Sequence, residues 1–169
     1  MAVSRIPVAA TPAFTLEALK EHARIDGNDD DASLELMGKT ASAEIEAYCD
    51  IALMRQTIVL DIEANGSPIS LPIGPLATDA LITINESAYT GDITGGRYPV
   101  LTLPGAITGK VAISYEAGWD NLAAIPADLQ LAIIDHATRL FDARGTDQPA
   151  QGLSVAAARI CARHRKVKL

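Results

Sequence analysis

The chain has one group of side chains that resembles a metal-binding loop, the acidic segment DGNDDD that begins at Asp26. An EF-hand calcium loop places oxygen ligands at positions 1, 3 and 5, and Asp26, Asn28 and Asp30 would supply them. The same loop needs glycine at position 6 and a bidentate glutamate at position 12, where this chain has Asp31 and Met37. The segment therefore fits a solvated, helix-capping turn better than a calcium site, and we predict no metal ion.

Histidines and cysteines also fall short of a chemical motif. His22, His136 and His164 lie on three different predicted helices, and no nucleophile motif accompanies them, so we interpret them as satisfied or surface side chains. Cys49 and Cys161 are far apart in sequence and share no CxxC or Cys/His ligand spacing, which predicts two reduced, mostly buried thiols rather than a zinc site. We predict that the protein is not an enzyme and uses no cofactor.

Composition indicates an ordered globular chain. Its 169 residues suffice for one domain with a sizeable core, and its 49% hydrophobic content against 21% charged residues excludes a disordered protein. Aromatic residues make up 4%, so aliphatic helix faces and strands must build the core. No run approaches the ~20 apolar residues of a membrane helix, and the N-terminus lacks a secretory signal. We therefore expect no membrane contact, and synthesis in the cytosol.

Charge is distributed unevenly along the chain. The net charge is −7, and residues 17–50 carry ten acidic against three basic side chains, whereas residues 159–169 carry five basic side chains, one histidine and no acid. A chain that is mostly acidic does not fit a general nucleic-acid binder. The basic tail is a candidate contact for an acidic partner, or alternatively a solvated terminus. Its candidate contact residues are Arg159, Arg163, Arg165, Lys166 and Lys168.

Hydrophobic periodicity predicts helices at both ends of the chain. A short helix capped by Thr15 ends near Arg24, and a second helix begins at Asp30 or Asp31. The second helix runs to Tyr48 with an apolar stripe formed by Leu34, Met37, Ala41, Ile45 and Tyr48. A last helix runs from Leu153 to about His164.

The segment from Tyr115 to Gly145 predicts a strand, a Gly-Trp corner and a long helix. Pro126 suits the first helical position, and Gly145 a left-handed cap at the helix end. The predicted apolar stripe is Leu129, Ile133, Ala137 and Leu140, and it is flanked by Ala132, His136 and Phe141. Trp119 at the corner either fills the local core or anchors a contact between subunits, since tryptophan is enriched in such contacts.

Between these helical parts the apolar residues alternate with period 2. Ile58, Leu60 and Ile62 begin the pattern, and short strands at 81–84, 98–103 and 110–115 continue it, which predicts one small, mainly antiparallel sheet. The predicted organisation is an irregular N-terminal arm (1–13), a helical core (14–56 and 116–145), a β insertion (57–115), and a linker, C-terminal helix and basic tail (146–169). The fold class is α+β: a small helical bundle with an inserted antiparallel sheet and a C-terminal helix and tail.

Several stretches, in order and spacing, resemble the head–tail connector (adaptor, or head-completion) proteins of tailed bacteriophages and gene transfer agents. The resemblance covers roughly residues 14–145. The stretches that carry it are Leu16–Asp26, Ile45–Tyr48, Gln56–Thr57, Leu71–Leu76 and Tyr115–Gly145.

This resemblance implies a structural virion protein of the neck, assembled in the host cytoplasm. Connectors of this type form a closed ring of about twelve subunits under the portal, extend the DNA channel and join the capsid to the tail. The implied partners are further copies of the chain, the portal protein, the next neck or tail component, and double-stranded DNA that passes without specific binding. The C-terminal segment would grip the portal, as a tail that is mobile in the free subunit.

The sequence is also compatible with two alternatives to a connector. One is another neck or tail-completion protein of the same particle. The other is a small nucleic-acid-binding module that uses the basic C-terminal tail.

Overall fold

Four α-helices and eight strands make up the described part of the chain. The computed structural model describes residues 2–8, 11–66, 68–94, 96–103, 107–145 and 152–165. Within these, the sheet unit comprises residues 2–8 and those between 54 and 120, and the helical unit comprises residues 11–53 and those between 121 and 165. This composition confirms the predicted α+β fold class.

The helical unit consists of α1 (Leu16–Ala23), α2 (Asp31–Cys49), α3 (Ala127–Asp142) and α4 (Val155–His164). Helix α1 begins where its cap predicts, because the Thr15 hydroxyl accepts a hydrogen bond from the Ala18 N–H at 3.2 Å. It ends at Arg24, whose left-handed backbone (φ 56°) turns its N–H back to the last carbonyls of the helix.

Helix α2 follows Asp30 as predicted, although the Asp30 side chain makes no capping hydrogen bond. Gly38 allows the ring of Phe14 to lie against the helix, since a Cβ at this position would lie 2.5 Å from a ring carbon. The predicted stripe is wrong at two positions: Met37 is only partly buried and Tyr48 is 39% exposed. The residues that α2 buries are Leu34, Gly38, Ala41, Ile45 and Cys49.

Helix α3 packs against the other three helices of its unit. The buried stripe of Leu129, Ile133 and Ala137 is confirmed, whereas Leu140 is only partly buried and Phe141 takes its place in the core. His136 is also fully buried. The core face of α3 therefore includes the predicted flanking residues Ala132, His136 and Phe141, and only Leu140 departs from the predicted stripe.

Both predicted ends of α3 are displaced slightly. Pro126 stands immediately before the first helical residue, Ala127, so it flanks the helix instead of opening it. The helix ends at Asp142 with Ala143 as a right-handed cap, and Gly145 follows with φ 74°. The predicted glycine cap at Gly145 is therefore wrong, because the last turn closes before the glycine is reached.

The sheet unit contains strands that vary from two to ten residues in length. They are β1 (Ala2–Pro7), β2 (Gln56–Asn65), β3 (Ile69–Ser70), β4 (Thr83–Ile84), β5 (Ser87–Ala88), β6 (Asp92–Thr94), β7 (Val100–Thr102) and β8 (Thr108–Ala117).

The sheet unit holds two sheets, not the one that the sequence predicted. One has the strand order β1-β2-β8-β4-β5, and the other has the order β3-β7-β6. The long antiparallel pair β2 and β8 forms the centre of the first sheet, where Ile58 lies opposite Tyr115 and Leu60 opposite Ile113. These four side chains are buried, so the period-2 alternation correctly indicates the face that packs into the core.

The first part of the predicted N-terminal arm belongs to this sheet. We expected residues 1–13 to be irregular, but Ala2–Pro7 pairs with β2 in antiparallel register from Ala2–Asp61 to Pro7–Gln56. The strand escapes sequence detection because its side chains are almost all exposed, and backbone pairing alone positions it. Pro7 is tolerated because β1 is an edge strand.

A buried tyrosine ties a loop to the central strand. The Tyr115 hydroxyl donates a hydrogen bond to the Ile73 carbonyl at 3.0 Å and accepts one from the Ile73 N–H at 3.2 Å. Burial raises the pKa of Tyr115 to about 12, so the phenol remains protonated at any physiological pH.

We predict that Ile133→Ala destabilises the protein much more than Leu140→Ala. Ile133 is fully buried, so its truncation should cost about 2–5 kcal/mol, whereas the partly exposed Leu140 should cost less. Urea titration of both variants measures the difference. Leu131→Ala, at a position that is 50% exposed on the same helix, is the control. Equal costs for all three variants would contradict the packing of α3.

Candidate assembly surfaces

The predicted partner-contact residues lie on an ordered helix. Arg159 and Arg163 are exposed on α4, one turn apart, and Arg165 follows the helix directly. The opposite face of α4 is in the core, through Ala157, Ile160, Cys161 and His164. The expectation of a mobile tail is therefore wrong for the described residues 159–165. Lys166 and Lys168 lie outside the described residues.

Two of these arginines also make contacts within the helical unit. The Arg163 guanidinium is 3.5 Å from the Asp128 carboxylate, although its side chain is 66% exposed. The Arg165 guanidinium lies over the ring of Tyr48, 5.2 Å from its centre. Exposed pairs of this kind contribute little to stability, about 0–1 kcal/mol each, so these arginines remain available for a partner.

The N-terminal end of α4 is fastened to α3 by Ser154. Its hydroxyl accepts from the Ala157 N–H at 3.1 Å, which caps α4, and donates to the Asp135 carboxylate at 2.5 Å. Its backbone N–H donates to Nδ1 of His136 at 3.2 Å. One serine therefore both starts the helix and joins it to its neighbour.

His136 connects three helices. Because its Nδ1 accepts the Ser154 N–H, its Nε2 carries the proton and donates to the Glu44 carboxylate of α2 at 2.7 Å. Ser154 is the cap of α4, so the ring bridges α2, α3 and the start of α4. His136 is thus a satisfied core histidine, with no nucleophile hydroxyl on either ring nitrogen.

The C-terminal end of α4 is held by His164, whose Nε2 lies 2.8 Å from the Asp128 carboxylate at the start of α3. Partial burial raises the pKa of Asp128, but the hydrogen bond and charge of His164 outweigh it, helped by the Leu129 N–H and by Arg163. The net result is a pKa below the ordinary value of 3.8. The ionised form of Asp128 therefore stabilises the docked helix.

Trp119 follows the last residues of β8 and is half-buried. Its carbonyl accepts the Arg55 N–H at 3.1 Å, and the preceding Gly118 has φ 107°. A Cβ on Gly118 would lie 2.4 Å from the Met54 carbonyl, so only glycine allows this close approach. The corner that the sequence predicted is thus fixed by its backbone, which leaves part of the indole on the surface.

A charge cluster beside Trp119 was not predicted. Arg55 pairs with Glu116 (2.5 Å), Asp120 (2.9 Å) and Asp79 (2.7 Å). These hydrogen bonds, that to Glu116 above all, raise the pKa of Arg55. Sequence reasoning had no signal for the cluster, because Glu116 is 61 positions from Arg55.

The acidic segment after α1 behaves as a turn. Lys20 Nζ donates to Asn28 at 2.7 Å and to Asp31 at 2.8 Å, so a lysine occupies part of the space between the oxygen ligands that a cation would need. Across the described ranges, no group of three or more His, Cys, Asp or Glu side chains is arranged to hold a metal ion. Nor does any described helix have the length and apolar character to cross a membrane.

The surface features described above are the exposed arginines of α4 and the half-buried Trp119 beside the Arg55 charge cluster. Residues 14–89 match the model of the phage gp6-like head–tail connector protein family. A search of the curated proteins gave no match.

Three solved chains share the fold over the whole length of this protein. A chain in the virion of a native gene transfer agent particle is 25% identical, with a TM-score of 0.76. A chain in the neck of the native particle, computed with C12 symmetry, is 26% identical, with a TM-score of 0.70. A chain in the neck of the empty particle, computed with C6 symmetry, is 24% identical, with a TM-score of 0.78. Each match covers 100% of this chain and 97% of the other.

The comparisons confirm the resemblance found in the sequence. The chain is similar to head–tail connector proteins, and its role is that of a structural adaptor of the neck.

We predict that Asp128→Asn lowers the unfolding temperature at pH 5.5, and that this difference from the wild type becomes smaller as the pH falls below about 4. The folded-state pKa of Asp128 is lowered, so its contribution is present above the unfolded pKa of about 3.9 and is lost as pH falls through the folded value. Thermal unfolding of the wild type and of Asp128→Asn across this pH range measures the difference between their unfolding temperatures. The control is Asp142→Asn, which changes an exposed carboxylate at the other end of α3. Its difference in unfolding temperature from the wild type should not depend on pH in this way. If the difference in unfolding temperature between Asp128→Asn and the wild type were the same at every pH, the ion pair with His164 would be contradicted.

Proposed function

We propose that this protein is the head–tail connector subunit of a tailed phage or gene transfer agent. Copies of it form a ring under the portal, extend the DNA channel and join the capsid to the next neck or tail component. The observation that carries the proposal is the full-length similarity to a neck chain of a particle computed with C12 symmetry. The particle would be assembled in the host cytoplasm, and the role requires no catalysis.

A ring of about twelve identical subunits, the number that C12 symmetry suggests, needs a heterologous interface, in which one face of each subunit fits a different face of its neighbour. We assign Trp119 to this interface, because a half-exposed tryptophan on a rigid backbone corner makes a large contact at low entropic cost. The Arg55 cluster supports this assignment, since it fixes Glu116 and Asp120 on either side of the corner.

The exposed face of α4 is the proposed portal contact. Arg159, Arg163 and Arg165 present positive charge there, and Lys166 and Lys168 continue it in sequence. A helix with cations at its C-terminal end is also favoured by its own dipole. Weak individual pairs would suffice, because a ring repeats each of them once per subunit.

The acidic surface of the chain suits a DNA conduit. The chain carries a net charge of −7, and a channel wall lined by acidic side chains would repel phosphates and let DNA slide, whereas a basic wall would hold DNA through many ionic contacts. Exposed acids of the helical unit that could contribute to such a wall are Glu17, Glu21, Asp26, Asp29, Glu35 and Glu44.

We predict that Trp119→Ala prevents ring formation while the subunit stays folded. Native mass spectrometry of the wild-type chain should show a ring of about twelve copies, and the variant should remain monomeric or form small oligomers. Ile93→Ala, which truncates another exposed apolar side chain of the sheet unit, should still form the ring. Circular dichroism verifies that the variant is folded. If Trp119→Ala unfolds, Trp119→Leu is tested in its place, because it removes the indole but keeps an apolar side chain. Rings of unchanged size in a folded Trp119→Ala would contradict the assignment.

We predict that the double variant Arg159→Glu, Arg165→Glu loses binding to the portal protein of the same particle. Both side chains are exposed, so the fold should be unaffected. The control is Lys39→Glu, Lys110→Glu, which makes the same change in net charge at exposed positions elsewhere. Co-sedimentation with portal rings at several salt concentrations measures binding.

Charge reversal is a better test than deletion of residues 159–169, because the deletion would also remove Ile160, Cys161 and His164 from the core. Equal loss of portal binding in both double variants would show that net charge, not the α4 face, is responsible. Salt-dependent binding of the wild-type chain to duplex DNA, lost in the α4 variant alone, would favour a nucleic-acid-binding module.

A further inference from the structure

The two cysteines meet in the core of the helical unit. Cys49 is the last residue of α2 and Cys161 lies in the second turn of α4, 112 positions later. Both thiols are fully buried and reduced. The Cys49 thiol donates a hydrogen bond to the Cys161 carbonyl oxygen, with 3.6 Å between sulfur and oxygen, so the two residues are in direct contact.

Two thiols can each be buried without touching, so burial alone does not explain why these two residues lie in contact. A disulfide requires the two sulfurs to approach to about 2.05 Å, and residues in direct contact are the pairs that side-chain rotation can bring to this distance. Helices α2 and α4 pack against each other, so the two cysteines lie on neighbouring elements of the helical unit.

We propose that Cys49 and Cys161 form a disulfide under peroxide, and that this bond staples the C-terminal helix α4 to the end of α2. The bond would fasten the helix that carries Arg159, Arg163 and Arg165. The inference concerns the isolated chain and is independent of the proposed ring and portal contacts.

The two thiols have different roles in the reaction. The hydrogen bond from Cys49 lowers the pKa of the Cys161 thiol, which makes Cys161 the better nucleophile. Its thiolate attacks one oxygen of hydrogen peroxide, which breaks the O–O bond, releases hydroxide and leaves a sulfenic acid on Cys161. The Cys49 sulfur then attacks the Cys161 sulfur and expels the sulfenic oxygen as water. Overall, two thiols are oxidised to one disulfide while one peroxide is reduced to two waters.

Hydrogen peroxide is the oxidant that the burial favours. It is small enough to reach buried sulfur through local opening, whereas a bulky disulfide such as oxidised glutathione would need α4 to detach. Closure of a long loop in the unfolded chain should also raise the thermal midpoint of the oxidised protein.

The test is treatment of the folded, full-length chain with dilute hydrogen peroxide, followed by intact mass, peptide mapping and thermal unfolding. We expect the loss of two hydrogen atoms, a cross-linked peptide joining Cys49 and Cys161, and a raised thermal midpoint that returns to the original value on reduction.

Cys49→Ser should instead accumulate oxygen on Cys161, and Cys161→Ser should form no cross-link. Thiols that remain unmodified, oxygen addition to both cysteines, or cross-links between two chains would each overturn the proposal. Loss of ring or portal binding in other variants would leave this result unchanged.

Discussion

The helical unit depends on a buried histidine that holds three helices at once. His136 receives a hydrogen bond from the start of α4 and donates one to Glu44 on α2, while its own helix α3 forms the centre of the packing. A buried imidazole is costly unless both nitrogens have partners. Here the two partners come from segments distant in sequence, so the histidine is satisfied only when all three helices are in place. The apolar stripes allow the helices to pack in more than one way, and the hydrogen bonds of His136 select the observed packing of α2, α3 and α4.

The sequence predicted those elements whose burial follows a regular period. Helices α1 to α3, the β2 and β8 strands and the turn after α1 follow from spacing and caps, because each places apolar side chains on one face. Strand β1 did not, since it buries almost no side chain and is positioned by backbone hydrogen bonds to β2. The second sheet was missed for a similar reason: β3 and β6 are two and three residues long, too short for a period to show. Pairings such as Arg55 with Glu116 depend on the fold itself.

Helix α4 is fixed to the helical unit on one face and exposes its arginines on the other. Ser154 and His164 fasten its two ends, and Ile160 and Cys161 bury its inner face, so the positions of its outer arginines are fixed relative to the helical unit. A partner that binds those arginines meets an ordered surface and loses less conformational entropy on binding than it would with a disordered segment. For a ring that must present the same contact many times, order of this kind keeps the copies equivalent.

The exposed apolar side chains of the helical unit fit the same argument. Leu36 on α2 is 59% exposed, Leu131 on α3 is 50% exposed and Val155 on α4 is 88% exposed. Single exposed apolar residues are ordinary on a soluble protein. Their distribution over different helices nevertheless matters for a ring, because a heterologous interface joins two unlike faces of the same chain. A single self-complementary apolar face would instead favour a two-fold dimer. In the proposed ring, exposed apolar side chains on different helices would allow one copy to contact two neighbours through unlike surfaces.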